Sequence, residues 1–282
     1  MSLLLRRMFD PRSNIAALTE AVSTLARYKE LVLEMTRREL LDRYAGTALG
    51  GVWVFGAPLL LLAAYVFAFM YVMRLRLGAG DSGLQFALFV LSGLTPWLAL
   101  QDALGRAPSA VVGSANLVKQ IVFPSEILPL KVALATYPSL LVGIIIVVIG
   151  SLMNDSLGLF ALFVLTPIAL LFYFVLITGF VYALASLGVF LRDIKDITGL
   201  LLAVGLFLHP VLYPPATVPN WVEQLFMFSP FSHLIWCFRD ALFYGAITRP
   251  ASWVLTPVLG VLFFVVGWRI FRMLRPSFGN AL

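Results

Sequence analysis

Residues 159–189 read LFALFVLTPIALLFYFVLITGFVYALASLGV, a run without a single Asp, Glu, Lys or Arg. Crossing a hydrocarbon core of roughly 30 Å takes about 20 helical residues, so this run is long enough to span a bilayer with a turn or two to spare. Working outward, five more stretches are apolar enough to cross: 52–73, 84–104, 127–152, 197–212 and 253–270, the 197–212 stretch being the short one. The apolar residues are continuous. Barrel strands would instead alternate over about ten residues, so the expected fold is an all-α integral membrane protein of six transmembrane helices.

Composition agrees. Of the residues, 61% are hydrophobic and only 12% charged, about half the charged share of a soluble domain. The formal charge is +6, but no dense basic cluster lies outside the N-terminal segment, which argues for orientation across a membrane and against nucleic-acid binding. With residues 1–51 taken as cytoplasmic, fifteen Lys and Arg fall inside and four (Arg74, Arg76, Arg239 and Arg249) outside, Lys131 lying within a span. That bias predicts both termini in the cytoplasm of a plasma or inner membrane. The N-terminal segment has no apolar run of signal-peptide length and is expected to stay on the mature chain. Cys237, the lone cysteine, reads as a packing residue.

The chain thus divides into an interfacial segment, 1–51, and a transmembrane domain, 52–282. Three segments do not span. Around Tyr28, Leu31, Val32 and Met35, apolar residues at helical spacing sit among basic ones, which suits an amphipathic helix in the interface or one packed on the cytoplasmic face. From 106 to 124, Val111, Ala115, Val118 and Val122 share helical spacing before Phe123-Pro124, an amphipathic helix for lipid or a partner protein. From 213 to 250, aromatic residues crowd a proline-broken stretch expected outside. Two short helices dipping into the outer leaflet as a re-entrant gate, or an aromatic interfacial anchor, would both accommodate it.

Several chemistries are missing. None of Lys29, Lys119, Lys131 and Lys195 sits in a GxxxxGK[ST] loop, so ATP hydrolysis must come from a partner. Asp102 and Lys131 are too few for a proton relay, and His209 reads as structural. Neither HExxH nor GxSxG occurs. Asp193 and Asp196 interleave with Arg192 and Lys195 as a self-neutralising belt, and no metal site is expected. The 13% aromatic content includes Phe172, Tyr173, Phe180 and Tyr182, which could line a path along which sugar rings slide; packing in lipid is the ordinary alternative.

Three blocks together resemble one family. RRELLDRYAGTALGGVWVFGAPLL (37–60) carries Arg38, Arg43, Tyr44, Gly46, Leu49, Gly50, Trp53 and Pro58 in the pattern RD…RY.G..LG..W….PLL, with Glu39 where Asp is common. SGLTPW (92–97) and ANLVKQIVFPSEILPL (115–130) supply Gly93, Pro96, Trp97, Asn116, Leu117, Lys119, Phe123, Pro124 and Pro129, with Gln120 replacing a second Lys. FLRDIKDITGLLLAVGLFLHPVLYPPATVP (190–219) and SPFSHLIWCFRDALF (229–243) supply Arg192, Asp193, Pro210, Pro230, Arg239 and Asp240, with His209 in place of a common Ser. In this order they resemble the polysaccharide and polyol-phosphate export permeases of ABC transporters, which include O-antigen, capsule and teichoic-acid exporters.

The resemblance implies a permease that pairs with a second copy of itself and with two ATP-binding subunits, which hold the ATP and Mg; this chain has no cofactor of its own. The cargo would be lipid-linked polysaccharide, O-antigen-like or capsular, with an outer-envelope export partner as a further candidate. Asn116, Leu117, Lys119, Phe123 and Pro124 would couple to the ATPase. Arg37, Arg38, Arg43 and Tyr44 would meet lipid headgroups. Pro210, Trp221, Leu225, Phe228, Phe231, Arg239 and Asp240 would build the external gate. A non-ABC transporter or a membrane glycosyltransferase is the alternative.

Overall fold

A computed structural model describes residues 11–73, 83–119, 123–153, 158–214 and 218–282, with side chains from residue 14 onward. All regular structure among the described residues is helical. The helices are α1 Pro11–Arg27, α2 Lys29–Asp42, α3 Trp53–Phe67, α4 Gly83–Arg106, α5 Ala115–Val118, α6 Ile127–Leu134, α7 Tyr137–Met153, α8 Thr166–Phe190, α9 Ile194–Leu208, α10 Asn220–Phe228, α11 Pro230–Arg239, α12 Pro250–Leu274 and α13 Phe278–Ala281.

Among the described residues, five stretches are long and apolar enough to cross a membrane: Gly50–Val72, Gly83–Ser109, Ile127–Met153, Ala161–Phe190 and Pro250–Ala281. The second, 78% buried, is the centre of the bundle, while the first, 11% buried, is its periphery. In α3 the side chains of Phe55, Leu59, Leu60 and Phe67 face outward, where water would be a poor neighbour and lipid or another protein a good one.

The 197–212 stretch is helical only as far as Leu208. α9 has 15 residues, a rise of about 22 Å, which is less than a hydrocarbon core. Its end has a local cause. His209 precedes Pro210 and takes φ −120, ψ 156, the extended region into which a proline ring forces the residue before it.

The core is aromatic and closely packed. Tyr182 meets Phe264, Trp268 and Phe271 edge-on, with centroids 6.3, 5.2 and 5.4 Å away. It can do so because α8 and α12 touch backbone to backbone. A Cβ at Gly267 would fall on the Gly179 carbonyl, and one at Gly179 would fall on the Phe263–Phe264 backbone. In lipid, where no hydrophobic force drives apolar helices together, such small residues let dispersion contacts accumulate.

α1 was not foreseen as an element. Ala17 and Ala21, one turn apart, are buried, and Arg269 of α12 donates from Nη1 to Asn14 Oδ1 at 2.6 Å.

Candidate functional site

The ends of α4, α8 and α12 gather at one side of the bundle with α1, α2 and the 106–124 segment. Here the sequence expectation needs correcting: among the described residues of 106–124, no continuous amphipathic helix forms. Ala107–Ser109 and Val112–Ser114 are separate 3-10 turns, and α5 is a single turn. Pro108 lacks an amide donor, and Gly113 and Ser114 are weak helix formers. The spacing of Val111 and Ala115 is therefore not realised on one helical face, and Val122 lies outside the described residues. The segment is instead anchored at both ends. At its start, the Pro108 backbone lies where a Cβ of Gly188 would be. At its finish, the Tyr182 hydroxyl donates to Glu126 O at 2.7 Å.

Glu126 is the centre of a charge cluster missed in the sequence. Its side chain, 2% exposed, accepts from Arg272 Nη1 at 2.7 Å and Arg275 Nη1 at 2.5 Å, and Arg272 also pairs with Glu20 of α1. A buried carboxylate needs such partners. The 106–124 segment is thereby tied to α8, to the C-terminal end of α12 and to α1. Asn116 and Lys119 are exposed, while Leu117, Phe123 and Pro124 are half-buried.

α2 packs one face on the bundle. Val32 is buried with Ile127 and Leu130, flanked by Tyr28 and Met35, and Glu39 meets Lys131 Nζ at 3.0 Å. Its other face exposes Leu33 and Leu41. Arg37 and Arg38 are exposed, and Arg38 lies 3.6 Å from Asp42, both largely in solvent, a pair of little energetic weight. Arg43 differs. Its side chain is 11% exposed and donates from Nη1 to Asp102 Oδ2 at 2.9 Å, and Arg106 Nε reaches Asp102 Oδ1 at 2.6 Å. Tyr44 is half-buried beside them.

At the opposite side, the 213–250 region holds two short helices, α10 and α11, separated by Ser229 alone, with Pro230 opening α11; residues 215–217 lie outside the described residues. α11 is enclosed from Ser232 to Arg239, and α10 leaves Trp221, Leu225 and Phe228 exposed. Phe231 packs on Trp97, His209 and Phe180. Pro210 is buried. His209 Nδ1 bonds Gly205 O at 2.7 Å and Nε2 bonds Ser229 Oγ at 2.8 Å. A carbonyl only accepts, so Nδ1 carries a proton. Arg239 donates to Val211 O at 3.0 Å and lies over the Phe89 ring at 3.9 Å. Asp240 accepts from Thr248, and from Trp253 Nε1 at 2.9 Å. Gly245, at φ 68, turns the chain toward α12 in the left-handed region that a side chain disfavours. The two adjacent charges thus hold different parts of the fold.

The four aromatic residues are placed as follows. Tyr173 and Tyr182 are 1% and 0% exposed. Tyr173 shares a hydrogen bond with Thr136 at 2.9 Å, and Tyr182 is committed to Glu126. Both are enclosed between helices of the same chain. Phe172 packs on Trp253, and Phe180 stacks on Phe263 at 4.4 Å.

Residues 30–243, which contain both this anchored segment and the α10–α11 pair, match the family model described as ABC-2 type transporter. The chain belongs to the ABC-2 type transporter family. Relatives of this ABC-2 chain align along nearly all of it. It is 28% identical over 263 residues to the O-antigen export system permease protein RfbA of Myxococcus xanthus, covering 93% of this chain and 98% of that one. Two proteins of the same name from Klebsiella pneumoniae are 23% and 22% identical over 260 residues, each covering 90% of this chain and 95% of the relative. The ABC-2 assignment and the apolar helices make it a multi-pass membrane protein.

Proposed function

We propose that this chain is the membrane permease of an ABC exporter that moves lipid-linked, O-antigen-like polysaccharide out of the cytoplasm across the inner membrane. The observation that carries the reading is end-to-end similarity to O-antigen export permeases, covering 98% of one of them. Two copies would form the pathway between them. The outward apolar faces of α3 and of α9, where Leu200, Leu201, Val204 and Phe207 are exposed, suit both a second copy and lipid. With α9 as a short sixth crossing, both termini are cytoplasmic. The arginines of α2, of the 106–124 segment and of α12 then share the inner side, as the positive-inside bias requires.

Two ATP-binding subunits, holding ATP and Mg, would grip the 106–124 segment at Asn116, Leu117 and Lys119. Because that segment is tied to α8 and α12 through Gly188, Tyr182 and Glu126, a push on it would be delivered to the packed α8–α12 core of the bundle. On the external side, α10 and α11 would form a re-entrant gate, the apolar tips Leu225 and Phe228 excluding water while the exporter rests. An outer-envelope partner would receive the glycan.

The purified chain alone is expected to hydrolyse no ATP, and hydrolysis is expected to appear on adding the ATP-binding subunit. Asn116→Ala, Leu117→Ala and Lys119→Ala combined should reduce co-purification of that subunit about tenfold, the equivalent of ~1.4 kcal/mol, with membrane insertion intact. Hydrolysis by the isolated chain, or normal assembly of the triple variant, would contradict the reading.

A further inference from the structure

α10 and α11 differ in how they are held. α11 is enclosed from Ser232 to Arg239, whereas α10, among the described residues, buries Phe226 alone and leaves Trp221, Leu225, Met227 and Phe228 exposed. A helix of 9 residues is also too short to be stable by itself in water. α10 therefore keeps its shape and place through what fastens it to the bundle.

One fastening is a charge pair between positions 26 apart in sequence. Arg249 donates from Nη2 to Glu223 Oε1 at 2.9 Å, the two side chains being 33% and 32% exposed. The arginine end of the pair is built into the bundle. Arg249 immediately precedes α12, its backbone amide lies 3.5 Å from Asp240 Oδ2, and its guanidinium lies over the buried Trp236 ring of α11, 4.3 Å from the centroid. A cation seated on an aromatic face keeps a favourable contact when its anion leaves. Glu223, by contrast, stands in the first turn of the weakly packed α10. The pair joins a fixed part to a loose one.

The other end of α10 is held differently. His233 Nε2 of α11 donates to Met227 O at 2.9 Å, and His209 Nε2 bonds Ser229 Oγ at 2.8 Å. Both bonds pin residues 227–229, where the chain turns from α10 into α11. Parting of Glu223 from Arg249 thus frees the start of α10 and leaves its finish in place.

We propose that Glu223 and Arg249 form a releasable latch, and that α10 swings about a hinge at residues 227–229 when the pair parts while α11 stays packed. As the device that keeps an exit shut, the latch rests on the reading of α10 and α11 as the external gate; the movement itself does not. A pair exposed to this degree is screened by salt, so the latch loosens as ionic strength rises.

The test is hydrogen–deuterium exchange, read by mass spectrometry, of the full-length chain in phosphatidylcholine nanodiscs. Glu223→Gln and Arg249→Gln should each speed exchange of residues 220–228 about three- to fivefold, the scale of a partly exposed pair, and leave 230–239 unchanged. The reversed pair, Glu223→Arg with Arg249→Glu, should exchange more slowly than either reversal alone, because only a direct attraction is recovered by the swap. Wild type answers even where a variant folds poorly: raising ionic strength from about 0.05 to 0.5 M, which shortens the Debye length about threefold, should speed exchange of 220–228 in wild type and not in Glu223→Gln. Unchanged exchange of 220–228 in both Gln variants, an equal rise through 230–239, or no salt response in wild type overturns the latch. Ion leak through phosphatidylcholine liposomes carrying Glu223→Gln tests the gate separately. Faster exchange with leak supports both readings; faster exchange without leak supports the latch and removes the gate.

Discussion

Gly267→Leu is expected to abolish accumulation of the folded chain in the membrane. The position faces the carbonyl of Gly179 across the α8–α12 contact, and Gly179 in turn faces the backbone of Phe263 and Phe264. Where backbone opposes backbone, no flexible side chain can yield, so the helices must separate. Separation would undo the edge contacts of Tyr182 with Trp268 and Phe271. Overpacking a close-packed interior commonly costs about 1–3 kcal/mol, and the loss of this seam should lie at or above the top of that range. Gly105→Ala is the matched control. It is helical, with nothing within 4 Å of an added Cβ, so alanine should be neutral or stabilising by up to about 1 kcal/mol. Detergent-extracted yield and the thermal midpoint of the two variants check both statements; a Gly267→Leu chain as stable as wild type would remove the α8–α12 seam from the account.

The second large effect is expected at Glu126. Glu126→Ala leaves Arg275 without its carboxylate and Arg272 with Glu20 alone. Both arginines are more than a third exposed, so water compensates them in part. The stability loss should be about 1–3 kcal/mol, below the range for a fully buried pair. Coupling should suffer more than folding. Cutting this tie frees the 106–124 segment from α12, and coupling energies of about 1–3 kcal/mol correspond to 5–150-fold. The variant should therefore assemble with the ATP-binding subunit and hydrolyse ATP, yet export at least tenfold less per ATP. Glu126→Gln, which keeps the volume and loses the charge, should do the same. Equal loss of assembly and export would make Glu126 a folding residue only.

The helical class was legible because lipid-crossing helices announce themselves by composition over some twenty residues, as 159–189 does. Proline placed the ends: Pro210 stops α9, and Pro230 opens α11. What sequence could not give was which neighbours the helices would have. Periodicity over 106–124 was outweighed by Pro108, Gly113 and the tight approach to Gly188. Tyr173 and Tyr182 read as pore candidates because an aromatic in an apolar helix looks the same facing a path, lipid or core. Arg43 and Asp102 are 59 positions apart, and Glu126 and Arg275 are 149 apart. Such pairs leave no local pattern. α1 did leave a pattern, since Pro11–Arg27 is strongly amphipathic with Ala17 and Ala21 on its buried face, but it falls short of the long apolar run that marks a crossing helix.

ATP-driven passage of a lipid-linked glycan through this chain can be measured directly. The direct measurement reconstitutes the full-length chain with its ATP-binding subunit in liposomes and supplies a polyisoprenyl-pyrophosphate-linked polysaccharide together with ATP and Mg. Glycan reaching the opposite leaflet is then read with a membrane-impermeant lectin or glycosidase. The expected result is glycan accumulation that requires ATP and both proteins and falls at least tenfold with Glu126→Ala. Accumulation at the same rate without ATP, or none from a complex that hydrolyses ATP in the presence of several lipid-linked glycans, would contradict it.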